Sequence, residues 1–563
     1  MASGSPDPPE TLARLHFQAG RFDEALLILD AAIAADSGRA QLWNNRGAVL
    51  ARLKRSDAAR ESFDRALALQ PGFAAARANR ANLLMELRRY EDAARDYEIL
   101  LRRKPDLPFA RGNLIRARLQ CCDWRGLEEE WDRALAGMRE GKPVIPPFVS
   151  TALCQSPADQ LLASRIVGNA KYPPAATPLW NGEPYRHERI RVAYLSSDFH
   201  AHATATLMAG VFEAHDRTRF ETIALSYGPD DASPMRRRLE GAFEHFLPVA
   251  EKSDAQIASL LREKEADIAI DLKGYTDESR LTILAFRPAP IQVNYLGFPA
   301  TMGAPYIDYI IADRTVIPPE HHMHYSEKVA YLPHSYQPND RSRAVAAKPP
   351  SRAEAGLPER GFVFCCFNAS YKIGPAIFAV WMSLLGNVEG SVLWLLEDNE
   401  AVQRNLKRVA AGCGIAAERI VFAPRNAVEE HLARHVLADL FLDTMPYNAH
   451  TTASDALWMG LPLLTCAGNT FPSRVAASLL FAIGLPELVT SSLGEYGALA
   501  CKLAREPERL AAIKAKLAQN RDTSPVFDAA RFTRDLESAY VAMWERQQRG
   551  EPPASIAVGV EPG

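Results

Sequence analysis

No run of about 18 apolar residues occurs in this 563-residue chain, so a membrane-crossing helix is not expected. The opening Met1-Ala-Ser-Gly-Ser-Pro-Asp-Pro-Pro9 lacks the basic segment followed by an apolar one that marks an export signal, and a cytoplasmic protein is expected. An excess of charge of one sign is lacking too. With 65 Lys and Arg against 68 Asp and Glu, composition gives no electrostatic reason to bind nucleic acid or an anionic membrane surface. The eight cysteines form no Cys-x-x-Cys, and the adjacent pairs Cys121-Cys122 and Cys365-Cys366 read as reduced thiols in apolar elements rather than as disulfides or zinc ligands. Neither Gly-x-Gly-x-x-Gly nor Gly-x-x-x-x-Gly-Lys-Ser/Thr follows an apolar strand, which weighs against dinucleotide oxidoreductases and P-loop enzymes. An Asp-x-Asp metal signature is absent, and His321, His322 and His324 do not have the spacing of a closed zinc site. No metal cofactor is expected.

What is present begins with a repeat. Stepping by 34 residues aligns Ala13, Gly47, Ala81 and Ile115, and likewise Ala25, Ala59 and Ala93. Bulky positions keep the same step, with Phe22, Ser56, Tyr90 and Trp124 in one register and Leu29, Phe63 and Tyr97 in another, while Pro71 and Pro105 close units. This is the tetratricopeptide pattern: small residues let paired helices approach, and large ones fill the space between units. Residues 10–140 are therefore expected to form a helical solenoid whose surface meets another polypeptide.

The pattern breaks over residues 141–188 into proline-bearing pieces, read as a packed connector with one helix near Asp159 to Ala170. Beyond it, apolar runs alternate with helical patterns. Strands are expected near Ile190 to Leu195, Glu221 to Tyr227, Asp267 to Leu272, Gln292 to Leu296 and Tyr309 to Ala312. A polar, proline-rich bridge at 342–360 separates residues 189–341 from a second series at 361–526. Its strands are expected at Phe362 to Phe367, Ser391 to Leu396, Arg419 to Phe422, Leu440 to Leu442 and Leu461 to Thr465. Two doubly wound α/β domains in tandem would leave a cleft at the carboxyl ends of their strands. Residues 527–549 carry Phe532, Leu536, Tyr540 and Trp544 on one helical stripe, and 550–563 reads as a loose tail.

Tyr447 to Thr465 is the most informative stretch. A strand, a loop, a helix opening at His450-Thr451-Thr452 and a stop at Gly460-Leu-Pro462 follow in order. The first N–H groups of such a helix lack intrahelical partners and carry partial positive charge, which favours an anion. Thr451 and Thr452 add hydroxyl donors, and Asp455, one turn in, is an acceptor for sugar hydroxyls. The combination suggests a nucleotide-sugar site.

Several segments carry a resemblance. They are Ser196-Ser-Asp-Phe with His202, Asp271-Leu-Lys-Gly-Tyr-Thr276, Arg287-Pro-Ala-Pro-Ile-Gln292, Leu296-Gly-Phe-Pro299 and Asp308-Tyr-Ile-Ile311. They continue with Phe367-Asn368, Tyr371-Lys372, Ser391-Val-Leu-Trp-Leu-Leu396, Glu429-Glu-His431, Asp443-Thr444, His450-Thr-Thr452, Asp455 and Ser473-Arg-Val-Ala-Ala-Ser478. In this order the chain resembles a bacterial member of the O-GlcNAc transferase family, glycosyltransferase family 41. The resemblance implies a GT-B fold behind the solenoid and inverting, metal-independent transfer of GlcNAc from UDP-GlcNAc to Ser or Thr of a polypeptide.

It also implies roles. Lys372 would stabilise the departing diphosphate, His431 would stack on the base, and His450, Thr451, Thr452 and Asp455 would hold the nucleotide sugar. His202 would act as the base, or orient acceptor or sugar while a phosphate oxygen or water takes the proton. Candidate acceptor or sugar contacts are His200, Asp271, Tyr275 and Pro299, with Asp271 also readable as a buried acid bonded to backbone N–H groups. Ala369 and Val428 stand where the eukaryotic enzymes imply Gln and Lys, and His200 where a small or polar residue is expected. Those departures leave two alternatives open: a GDP-fucose donor, as in SPINDLY-type plant members, or a nucleotide-sugar-binding scaffold with little transfer. A GT-B epimerase is a weaker alternative that leaves the repeats unexplained.

Overall fold

A computed structural model describes residues 9–559; the reading of the opening segment as free of an export signal concerns Met1 to Pro8, which lie outside the described residues. The chain divides into two compact units, Met1–Gly137 and Met138–Gly563.

The first unit is a series of antiparallel helices: Pro9–Gln18, Phe22–Ala35, Ala40–Arg52, Ser56–Leu69, Ala74–Glu86, Tyr90–Arg103 and Ala110–Gln120, followed by Leu127–Arg139. Phe22, Ser56 and Tyr90, equivalent in the 34-residue register, each open a helix. The small positions act as the repeat requires. Ala25, Ala59 and Ala93 are fully buried, and a Cβ on Gly47 would lie 2.5 Å from the Phe63 ring. Only hydrogen fits there, because close-packed interiors do not yield by an ångström. Successive units are also tied by charge: Arg80 donates to Asp64 Oδ1 at 2.7 Å and to Asp96 Oδ2 at 2.8 Å.

The second unit holds two parallel sheets. In the first, β1 (Ile190–Ser196), β2 (Phe220–Ser226), β3 (His245–Pro248), β4 (Ile268–Asp271), β5 (Ile291–Asn294), β6 (Tyr309–Ala312) and β7 (Lys328–Tyr331) run in the order 7-6-5-4-1-2-3. In the second, β8 (Val363–Cys366), β9 (Val392–Leu396), β10 (Ile420–Ala423), β11 (Leu440–Leu442), β12 (Leu463–Cys466) and β13 (Val489–Thr490) run 10-9-8-11-12-13. Both sheets begin at a central strand and wind outward in both directions, so each has a switch point: between β1 and β4 in one, between β8 and β11 in the other. Ligands of doubly wound sheets bind at the carboxyl ends beside such points.

The long apolar strands stand where their patterns predict them. Four short strands do not announce themselves. β3 and β7 include exposed or charged positions, and β13 is two residues long. The fourth corrects the tail: β14 (Ile556–Ala557) pairs with Ala330 and Tyr331 of β7, so 550–559 is not loose, while 560–563 lie outside the described residues. The strand expected from Leu461 begins at Leu463, because Pro462 has no N–H to give a ladder. The connector contains a short helix, Pro147–Thr151, besides Pro157–Lys171.

The terminal helix, Ala529–Gln548, starts after the Asp528 side chain accepts from Arg531 N at 2.9 Å. It buries Phe532, Leu536, Tyr540 and Trp544 and returns to the first sheet. There the Tyr540 and Tyr194 hydroxyls meet at 3.2 Å, and His215 Nδ1 lies 2.9 Å from Glu537 Oε1. All eight cysteines are free thiols. Among the described residues no helix is long and apolar enough to cross a membrane.

Candidate active site

A cavity of about 410 Å³ lies where the two switch points meet. Its lining comes from the loops after β1 (Asp198, His202, Thr204), β4 (Lys273, Thr276, Asp277), β5 (Leu296, Gly297), β8 (Asn368, Ala369, Tyr371, Lys372) and β11 (Tyr447, His450, Thr451, Thr452), with Phe148, Tyr336 and Gln337. The β5 loop lies tight against the β4 loop. A Cβ on Gly297 would fall 2.0 Å from the Leu272 carbonyl oxygen, and Leu296 beside it takes φ +67°, a conformation few side-chain-bearing residues adopt.

On the first-half wall a carboxylate and a lysine are joined. Lys273 Nζ donates to Asp198 Oδ1 at 2.8 Å, both side chains being almost wholly buried. His202 caps the helix Ala203–Ala214, its Nδ1 accepting from Thr204 N at 3.2 Å, and the same nitrogen is 3.4 Å from Asp198 Oδ2. One nitrogen cannot serve both. If Nδ1 accepts from Thr204, the neutral ring carries its proton on Nε2 and donates into the cavity; if Nδ1–H faces Asp198, Nε2 is left as a base. Burial lowers the His202 pKa, which keeps the ring neutral.

On the second-half wall the lysine is not joined to a carboxylate by a hydrogen bond. Lys372 Nζ donates to the Asn448 carbonyl at 2.8 Å and stands 4.0 Å above the Tyr447 ring. Asp443 lies beneath, accepting from Thr444 N (2.7 Å), Ala449 N (2.6 Å) and Thr465 Oγ1 (2.6 Å). Burial drives the Lys372 pKa down and that of Asp443 up, each charge partly offsetting the effect on the other. Next to Lys372 the helix Thr451–Trp458 begins. His450 O takes Ala453 N and Ser454 N, so the Thr451 and Thr452 amides have no intrahelical acceptor.

The anticipated residues separate into two groups. His202, Lys372, His450, Thr451 and Thr452 line the cavity together. The Thr452 hydroxyl is already given to Asn368 Oδ1, so its side chain is a strut while its amide remains at the helix start. The second group lies outside the lining. Asp455 is 8 % exposed and ion-paired with Arg343 of the bridge, so its acceptor capacity is shared. His431 packs edge-on against Phe367 and takes a hydrogen bond from Arg434; desolvation holds its pKa down at about 2, leaving the ring neutral.

Asp271 accepts from Lys273 N (2.9 Å) and Gly274 N (3.0 Å), the buried-acid arrangement, with burial pushing its pKa up to about 6. Tyr275 turns its hydroxyl to the Met302 carbonyl at 2.9 Å, Pro299 is buried, and His200 faces Asp231 at 3.7 Å. Sequence reasoning gave no individual role to Asp198 and Lys273, although both sit inside quoted motifs. It also passed over Phe148, Tyr336, Gln337 and Arg343, whose segments carry no local signature. Among the described residues no group of three His, Cys, Asp or Glu side chains is arranged to hold a metal ion.

Comparison with known proteins finds family models for both parts of the chain. The model described as "Glycosyl transferase family 41" matches residues 180–348 and 345–536, and a tetratricopeptide repeat model matches 10–74 and 78–120. The chain is 37% identical over 437 residues to the probable UDP-N-acetylglucosamine–peptide N-acetylglucosaminyltransferase SEC of Arabidopsis thaliana, covering 74% of this chain and 44% of that protein. It is 32% identical over 389 residues to the probable enzyme of the same description, SPINDLY, of Oryza sativa subsp. japonica, covering 67% and 41%. It thus spans less than half the length of these curated relatives. The solved structure of a mutant Thermobaculum terrenum O-GlcNAc transferase superposes with a TM-score of 0.72 at 26% identity, covering 98% of this chain and all of that one, and carries the GT-B arrangement of the two sheets across. With its family model spread over both halves of the cleft, the chain belongs to glycosyl transferase family 41.

Proposed function

We propose that this chain is a protein O-GlcNAc transferase, moving GlcNAc from UDP-GlcNAc to serine or threonine hydroxyls of a polypeptide, with inversion at the anomeric carbon and without a metal cofactor. The observation that carries the reading is Lys372. Its ammonium stands beside the open amides of Thr451 and Thr452, with no carboxylate hydrogen-bonded to it, across the cavity from His202. Negative charge developing on a leaving diphosphate would meet fixed donors already in place and a lysine that the bound diphosphate itself holds in its charged form. On the other side, His202 offers a neutral imidazole to the acceptor hydroxyl, as base or as orienting donor according to the position of its proton. Asp271 contributes at most a local field, since its oxygens are held by backbone amides. The tetratricopeptide unit would bring the acceptor polypeptide.

The test is calorimetric titration with UDP and GDP in EDTA, followed by mass analysis of candidate acceptor proteins with UDP-GlcNAc. Selective UDP binding, and a mass gain lost in Lys372→Ala, are expected. Ala369 in the cavity lining and the exposed Val428 favour a second reading, a nucleotide-sugar-binding scaffold or a GDP-fucose transferase. Nucleotide binding without mass gain, or preference for GDP, would decide for one of these.

A further inference from the structure

The last motif of the resemblance, Ser473-Arg-Val-Ala-Ala-Ser478, lines no part of the cavity. It opens the second-half helix Val475–Ala482, which follows β12. Arg474 at the cap and Ser478 four residues on share one face of that helix, and both reach the first half. Arg474 Nε donates to the Thr315 carbonyl, while Ser478 Oγ lies 2.6 Å from Asp313 Oδ2 and 3.0 Å from Ser335 Oγ. Asp313, Ser335 and Ser478 are all buried.

The direction of these bonds is fixed by the neighbours. Asp313, just past β6, already takes Thr315 N (2.8 Å), Val316 N (3.0 Å) and Tyr336 N (2.9 Å), so its oxygens accept and the Ser478 hydroxyl donates. Removing that hydroxyl leaves the three amides in place. It cuts the tie between the halves and spares the loop after β6.

The other end of the motif leads to Lys372. The Pro472 carbonyl, beside Ser473, accepts from Asn448 N at 2.8 Å, and the Asn448 carbonyl is the one to which Lys372 Nζ donates. Phe471 packs edge-on against Tyr336 of the first half at 4.7 Å. The loop that seats Lys372 is thus bonded to a helix start that is itself bonded to the carboxyl end of the first sheet, the sheet whose β1 loop carries His202.

We propose that Arg474, Ser478 and Asp313 are positioning residues: they form a clasp that sets the Lys372 wall in register with the His202 wall for transfer. The inference rests on the transferase reading above and deepens it. Holding the nucleotide takes the second-half wall alone, whereas transfer takes both walls at a fixed spacing. Loosening the clasp spares the first and slows the second, since a shift of about 1 Å between reacting groups can cost about a hundredfold in rate.

The experiment compares the full chain with Ser478→Ala by UDP calorimetry and by the rate of mass gain with UDP-GlcNAc on an acceptor protein found as above. Turnover is counted per UDP-binding site, so that unfolded protein does not enter the rate. The expected result is UDP affinity within about twofold of wild type and kcat lowered about tenfold or more. Asp313→Asn together with Ser478→Ala should lower kcat no further than Asp313→Asn alone, because both cut the same bond; losses that multiply would overturn the clasp. So would a Ser478→Ala kcat within about threefold of wild type. UDP affinity falling as far as kcat would also overturn it, leaving the motif as a support for the second half alone. If Ser478→Ala does not fold, Arg474→Gln cuts the contact to Thr315, and the same split between affinity and kcat is expected. Wild-type protein that transfers nothing would overturn the transferase reading, and the clasp's role with it.

Discussion

The two halves of the cleft wind in the same sense about the same kind of switch point, the first sheet with two strands more at one edge, yet their lysines are in opposite states. Lys273 is held by Asp198 in a closed, nearly buried pair, whereas Lys372 touches a carbonyl and an aromatic face above a carboxylate already engaged by other donors. Winding order decides where a ligand can lie; pairing decides what charge it meets there. One lysine holds the wall together, and the other is available to an incoming anion.

That contrast can be broken most severely at Lys273. Lys273→Met strands the Asp198 carboxylate, and a loss of about 3–5 kcal/mol of stability is expected in urea unfolding. A change under about 1 kcal/mol would show that the pair does not matter to the fold. Lys372→Met should do the reverse, leaving the fold intact and lowering turnover by about 10²–10³-fold, the effect of removing one preorganised donor. Turnover within tenfold of wild type would move the anion site elsewhere.

Arg343→Gln probes the nearest second-half counterpart of the Asp198 pair. Freeing Asp455 should lower Tm and strengthen UDP binding a few-fold, read by calorimetry. Weaker binding would mean that the guanidinium itself contacts the nucleotide.

The smallest effect is a fraction of a proton. Burial lowers the pKa of free Lys372, and a bound diphosphate raises it again, so binding at pH 8 to 9 takes up protons and weakens as pH rises through the free value. Titrations in buffers of different ionisation enthalpy should show this uptake in wild type. Persistence of the uptake in Lys372→Met would assign it to another group.

Much of this was legible in the chain because its signals are local. Alanine at 25, 59 and 93 fixes the solenoid, and the apolar runs at 190, 363 and 440 fix the central strands, since each pattern needs only its own neighbourhood. The helix at His450-Thr451-Thr452 was readable for the same reason. Asp455 was misjudged in its surroundings because its partner, Arg343, is remote in sequence and lies in a bridge without periodicity. Gln337 and Phe148 were invisible for that reason too. β14 was missed because two residues at a sheet edge make no pattern.

That last strand, with the helix before it, also bears on how the chain is made. The first sheet receives its final strand, and the cover over Tyr194 and His215, from residues that leave the ribosome only after the entire second half. The bridge at 342–360 is thus no place to cut the protein in two. A fragment ending there would expose the face that Glu537 and Tyr540 seal, while the matching C-terminal fragment would carry a helix with its apolar stripe bare. Contacts closed over so long a loop are slow to form. The first half, begun early in synthesis, is completed last.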